Sequence, residues 1–151
     1  MKKKIDNKGY TLAELIVVLV ILAILAALLV PALLGYIDRS KSQQSILNAK
    51  SALTASQAEF SAMYAKNLNP INAANMTNAV KNRILDTADV ADACQQLIVG
   101  VKPKSGDSHS TYKIVYAFYE EKGQKIEFDG TSWEPVKVAS APKGVTMITI
   151  K

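Results

Sequence analysis

Hydrophobic and polar positions change their rule several times along the chain, and each change predicts a different element. Residues 15–37 are uncharged and nearly all Leu, Ile, Val and Ala, so no face of a helix there is polar. Such a helix suits lipid or a wholly apolar packed core. At 1.5 Å rise, about 23 residues reach roughly 34 Å, enough to span a bilayer core. Residues 38–66 contain no proline or glycine and are rich in Ala, Ser, Gln and Lys, which predicts that the helix continues. Ile46, Ala49, Leu53, Ser56, Phe60 and Met63 recur there at spacings of four and three, a stripe for a packed partner. Lys41, Lys50 and Lys66 fall on other faces. A helix over residues 12–66 would be about 80 Å long, too long to be covered by its own domain, so its first half needs lipid or other subunits. The stripe holds too few clean heptads for a coiled coil and fits docking onto a sheet better.

Asn67, Asn69 and Pro70 predict the end of this helix, because asparagine and proline favour turns and the residue before proline avoids the helical region. Residues 76–85 and 87–99 read as two short helices, the second capped by Asp86 or Thr87 with Asp89 in its first turn. Asp86, Asp89 and Asp92 stand at helical spacing, and capping and dipole roles account for them more simply than a cation site. Residues 102–110 are a polar loop holding the single histidine, His109, which reads as surface with no nucleophile and acid arranged around it.

Beyond the loop the period becomes two. Tyr112, Ile114, Tyr116 and Phe118 alternate with Lys113, Val115, Ala117 and Tyr119, predicting a strand with one strongly apolar face. Turns at Gly123 and at Asp129-Gly130 continue it as an antiparallel meander, and Pro135 confines the third strand to an edge or an interruption. Residues 145–150 add a fourth strand. The expected architecture is α+β: a long amino-terminal helix covering an antiparallel sheet of three to four strands. Its parts are helix 38–66, a helical αβ-loop 70–100 and sheet 111–151. Tyr112, Tyr116, Tyr119 and Trp133 could instead form a stacking platform, but their alternating positions and the presence of only Arg39 and Arg83 as arginines point to core packing.

Two residues disturb the plain membrane-span reading of the apolar run. Glu14 abuts it, where a carboxylate costs about 2.5–3.5 kcal/mol at mid-membrane and less near the interface, so it needs a partner. Pro31 lies deep within it, removing one backbone N–H and predicting a kink or loosening. The order Gly9-Tyr10-Thr11-Leu12-Ala13-Glu14, after a basic leader and before an apolar helix carrying Pro31, resembles the prepilin signature of type IV pilins and pseudopilins. The resemblance covers the first quarter of the chain. It implies cleavage between Gly9 and Tyr10 on the cytoplasmic side by a membrane peptidase that also methylates the new terminus. It further implies that Glu14 attracts the Tyr10 amine of a neighbouring subunit during assembly, and that Pro31 marks where the helix loosens in the filament. Tyr10 stands where phenylalanine is commoner in the family, and Ala23 where many members carry glycine.

Charge supports this orientation. The net charge is +5 from 18 basic and 13 acidic residues. The leader through Gly9 holds four lysines and one aspartate, leaving 14 basic and 12 acidic residues beyond it. The basic character is therefore mostly in the leader; it fits the positive-inside rule and argues for no nucleic-acid partner, or only a weak one. An ordinary signal peptide would have an apolar segment of about 7–15 residues, and this run continues past its candidate small-residue site at Ala26-Ala27. Cys94 is the only cysteine, which excludes an intramolecular disulfide and a cysteine metal cluster and predicts a buried apolar residue. Many Gram-negative relatives pin their carboxy-terminal loop with a disulfide, so another device must close this fold.

The expected organisation is a cleaved leader 1–9, an apolar transmembrane and assembly helix 10–37 and a head 38–151. The expected function is a structural subunit of an extracellular type IV pilus, with no catalytic residue, no metal and no cofactor. Its partners would be copies of itself in a helical filament, prepilin peptidase/methyltransferase and the inner-membrane assembly machinery. It would reside in the cytoplasmic membrane before assembly and on the cell surface afterwards. The alternatives are a pseudopilin of a type II secretion or competence system, which in the secretion case would carry a calcium site in its carboxy-terminal loops, and a single-pass membrane-anchored binding domain. No phosphate loop, metal-ligand spacing or nucleophile–base pair points to an enzyme.

Overall fold

The computed structural model describes residues 9–151. The basic leader other than Gly9 lies outside the described residues. The chain divides into two units, one ending at Lys41 and one running from Ser42 to Lys151.

Helix α1 spans Leu12–Ala65 and continues through Pro31. Its start is a capping box: Glu14 N–H donates to Thr11 Oγ1 at 3.3 Å, and Thr11 N–H donates to Glu14 Oε2 at 2.8 Å. Its end is the predicted asparagine stop. Asn67 takes a left-handed φ of 54°, Asn67 N–H bonds Tyr64 O and Leu68 N–H bonds Met63 O, the paired bonds of a Schellman cap. In the first unit the helix is long and apolar enough to cross a membrane, and none of its most apolar stretch is buried. In the second unit it buries Ser45, Ala49, Ala52, Ala55, Ser56, Phe60 and Met63. The predicted stripe is thus present but rotated slightly, with Ile46 and Leu53 on its flank and Ala52 at its centre.

Helix α2 spans Asn78–Thr87 and is capped by Thr77, whose side chain accepts Val80 N–H. The expected second helix over residues 87–99 does not form. Asp89 has a left-handed φ of 55°, Val90 N–H bonds Leu85 O and Asp89 N–H bonds Asp86 O, so Asp86 and Asp89 close α2 instead of opening another helix. The chain then enters strand β1, Cys94–Val101. A short apolar run is ambiguous by periodicity, and here the β-branched Ile98, Val99 and Val101 suit a central strand buried on both faces.

The sheet has five antiparallel strands, one more than the upper expectation, in the order β4-β3-β2-β1-β5. β2 is Ile114–Glu121, β3 Gln124–Phe128, β4 Trp133–Pro135 and β5 Thr146–Thr149. The β2-β3-β4 meander is the predicted one, and β4 with Pro135 lies at an edge. Alternation along β2 fails at one point. Gly100 pairs with Tyr116 and Val101 with Ile114, so Val115 is an extra residue that flips the faces. Ile114, Ala117 and Tyr119 therefore join the core with Leu97, Val99 and Ile126, beneath Phe60 and the alanines of α1. Tyr116 and Phe118 are buried on the opposite face. Gly100 permits this arrangement: a Cβ there would collide with Val145 Cγ1 and come within 3.0 Å of Tyr116 Cβ. All of the weighed aromatics pack rather than form a platform, Tyr116 and Tyr119 fully buried and Tyr112 and Trp133 against the core.

Candidate processing and assembly site

Gly9 and Tyr10 precede the first turn of α1, both exposed, and space around Gly9 is open. Glu14 sits in that first turn. Its Oε2 accepts two bonds from Thr11, the backbone N–H and the hydroxyl, each at 2.8 Å. Its Oε1 has no hydrogen-bond donor among the described residues. The structure thus brings Glu14 to Thr11, a partner that the sequence reading passed over although the Thr-x-x-Glu spacing signals it. Pro31 lies about five turns further along the same helix, with no side chain of this site beside it.

With this geometry in place, the comparison with protein families is specific. The prokaryotic N-terminal methylation motif matches residues 5–30. The chain carries the prepilin-type signature. No curated protein and no solved structure matches it. That signature is the one carried by prepilin-type proteins, the type IV pilins and pseudopilins, and it covers the start of this chain alone. The exposed apolar helix fits membrane anchoring.

The head of this prepilin-type chain has its own polar centre. Glu121 is buried at the end of β2, and its Oε2 accepts Asn48 Nδ2–H at 2.7 Å and Tyr119 O–H at 3.0 Å. Asn48 lies on α1, so this carboxylate ties helix to sheet. Burial, followed by the adjacent Glu121 carboxylate, pushes the Tyr119 phenol far above its ordinary range. Burial also raises the Cys94 thiol to about 11, which keeps it protonated and inert. Cys94 is buried, as expected. A second tie is Gln57 on α1, whose side-chain amide mimics a strand: Nε2–H donates to Tyr112 O at 2.7 Å, and Oε1 accepts Ile114 N–H at 2.9 Å.

The device that closes the fold without a disulfide is a set of hydrogen bonds. Leu97 N–H donates to Lys151 O at 3.1 Å and Leu97 O accepts Ile150 N–H at 2.8 Å, while the Lys151 ammonium bonds Ala91 O. Residues 150 and 151 are thereby fastened to the centre of β1.

Proposed function

We propose that this chain is the structural subunit of an extracellular type IV pilus, cleaved between Gly9 and Tyr10 and polymerised through its amino-terminal helix. The leader is then 1–9, the membrane and assembly segment 10–37 and the head 38–151. The observation that carries the reading is the methylation motif at the start of a helix whose apolar side chains are exposed all round, Leu28 at 71% for example. Apolar area of this kind is covered by lipid before assembly and by equivalent helices after it.

Cleavage creates a cationic amine at Tyr10, and in an apolar filament core that amine and Glu14 are poorly solvated unless they meet. At about 4 Å and an effective dielectric near 20 their attraction is about 4 kcal/mol before desolvation is subtracted, so the pair selects register more than it adds stability. Because Thr11 engages Glu14 through Oε2, the free Oε1 is the oxygen offered to the amine of a neighbouring subunit. Pro31, lacking a backbone N–H, is the point where the helix loosens as subunits pack.

The pilin reading is preferred to the pseudopilin one because the carboxy-terminal acids are committed locally. Asp129 Oδ1 accepts Thr131 N–H, Thr131 O–H and Ser132 N–H at 2.7–2.8 Å, and Glu127 Oε2 accepts Ser140 N–H at 3.0 Å. Amino-terminal mass spectrometry of the mature protein is expected to give a methylated Tyr10; any other terminus overturns the assignment. Glu14→Ala is expected to leave cleavage and membrane insertion intact while filament yield, counted by electron microscopy, falls at least tenfold.

A further inference from the structure

We propose that the β1–β2 loop of the head is a binding site for a phosphate group, held by Lys102, Lys104 and Lys113. A cavity of about 400 Å³ opens there, lined by these lysines together with Pro103, Asp107, His109 and Ser110. The inference is independent of the pilus reading, because the whole site lies within the head unit.

Three observations carry it. The first is charge. Among the described residues no carboxylate approaches Lys102, Lys104 or Lys113 within 4.0 Å, whereas Lys122 and Lys125 each stand 3.9 Å from a glutamate. Asp107 is the one acid on the cavity wall, and its Oδ1 already accepts His109 N–H at 3.0 Å and lies 3.7 Å from His109 Nδ1. Three lysines line this one concave surface, and an anion bound there would offset their like charge.

The second is rigidity. Ser110 Oγ accepts Lys104 N–H at 2.7 Å and donates to Asp107 O at 2.7 Å, and Asp107 N–H bonds Lys104 O at 3.1 Å. Gly106, at φ 81°, makes the tight turn that these bonds enclose. The loop is also fastened to α1: Tyr64 O–H and His109 Nε2 are 2.7 Å apart, and the Tyr64 ring packs against His109 and Tyr112 at 4.9 and 5.1 Å. The backbone position that presents Lys104 is therefore held before any ligand arrives, which lowers the entropy lost on binding.

The third is the type of cation. Lysine ammoniums are point charges with donors in several directions, which suit a tetrahedral oxyanion, whereas a planar carboxylate is matched by the arginine fork that this site lacks. The cavity exceeds a single phosphate, and Pro103 gives it an apolar wall, so the group can be a free ion or part of a phosphorylated chain.

The test uses the full chain in non-ionic detergent at low ionic strength, titrated by calorimetry with inorganic phosphate and separately with tripolyphosphate. One saturable site is expected. Lys104→Ala and Lys113→Ala are each expected to raise Kd about tenfold, and Lys104→Arg, which keeps the charge, by threefold or less. Lys50→Ala, an exposed lysine outside the cavity, is expected to leave Kd unchanged. Saturation by inorganic phosphate identifies the free ion as sufficient, and saturation by tripolyphosphate alone identifies a chain-borne group; both uphold the site. Absence of saturable binding by either probe, or an equal loss in Lys50→Ala, overturns it. All of these variants sit on exposed positions, and unchanged near-ultraviolet circular dichroism checks their folds.

Discussion

The two stretches of α1 obey opposite rules for side-chain size. Residues 15–37, in the first unit, carry the large Leu, Ile and Val side chains, and all of them are exposed. Residues 42–65, in the second, fully bury mostly Ala and Ser, with Phe60 and Met63 the large side chains among the buried residues and Ile46 and Leu53 half-buried at the flank. Small residues let a sheet approach the helix closely, and Tyr119, Leu97 and Ile126 supply the bulk from the other side. Among the described residues the large apolar side chains of the first stretch stay exposed, and the proposed function assigns their cover to lipid and then to other subunits. A hydrophobic side chain is therefore core in one stretch and exposed in the other.

Substitutions can break this comparison from either side. The largest effect is expected in the head: Phe60→Ala removes a fully buried ring and should destabilise the fold by about 3–5 kcal/mol, read as a lower melting temperature, while membrane insertion is unchanged. Its counterpart, Leu25→Arg, should oppose insertion by about 2.5–3.5 kcal/mol in a membrane-integration assay and leave head melting unmoved. If Leu25→Arg lowered head melting as much as Phe60→Ala, the two stretches would not be independent.

Smaller effects sharpen the description of the head. Glu121→Ala leaves Asn48 and Tyr119 without their shared acceptor and should cost about 1–3 kcal/mol in chemical denaturation. Tyr116 gives a pH signature. Burial, followed by the nearby Glu127 charge, raises its phenol to about 12, so the folded state favours the neutral form. The stability it contributes is complete below the unfolded tyrosine value near 10 and is lost as pH rises towards 12, which tyrosinate absorbance with and without Tyr116→Phe will follow. The smallest effect is expected from Arg83→Ala, which removes the exposed partner of Glu59 and should leave the melting temperature nearly unchanged, with the Glu59 carboxyl returning upward in an NMR titration.

Much of this was legible along the chain because it depends on local chemistry. The asparagine stop after Lys66, the meander turns at Gly123 and Gly130 and the edge placement of Pro135 follow from backbone conformations that these residues permit or forbid. The expected helix over residues 87–99 overlaps strand β1 from Cys94 onward, because a run buried on both faces has no alternation to reveal it. The face of Tyr116 was misread because one extra residue, Val115, resets a period of two. At the amino terminus, the order of Gly9, Tyr10, Glu14 and Pro31 is what carries the proposed roles, while Thr11 emerges as the partner of Glu14 only with side-chain geometry.

The sequence by itself determined the prepilin-type start, the uncharged helix and the α+β class, because each is written in residues adjacent in the chain. Only the tertiary structure decided that Cys94–Val101 is the strand joining the meander to β5, that Asn48, Tyr119 and Glu121 form one buried polar centre, and that Leu97 fastens residues 150 and 151. Apart from Tyr119 with Glu121, these depend on pairings between residues tens of positions apart, whose partners are selected by packing and by the need to satisfy buried polar groups, and no local pattern encodes that choice.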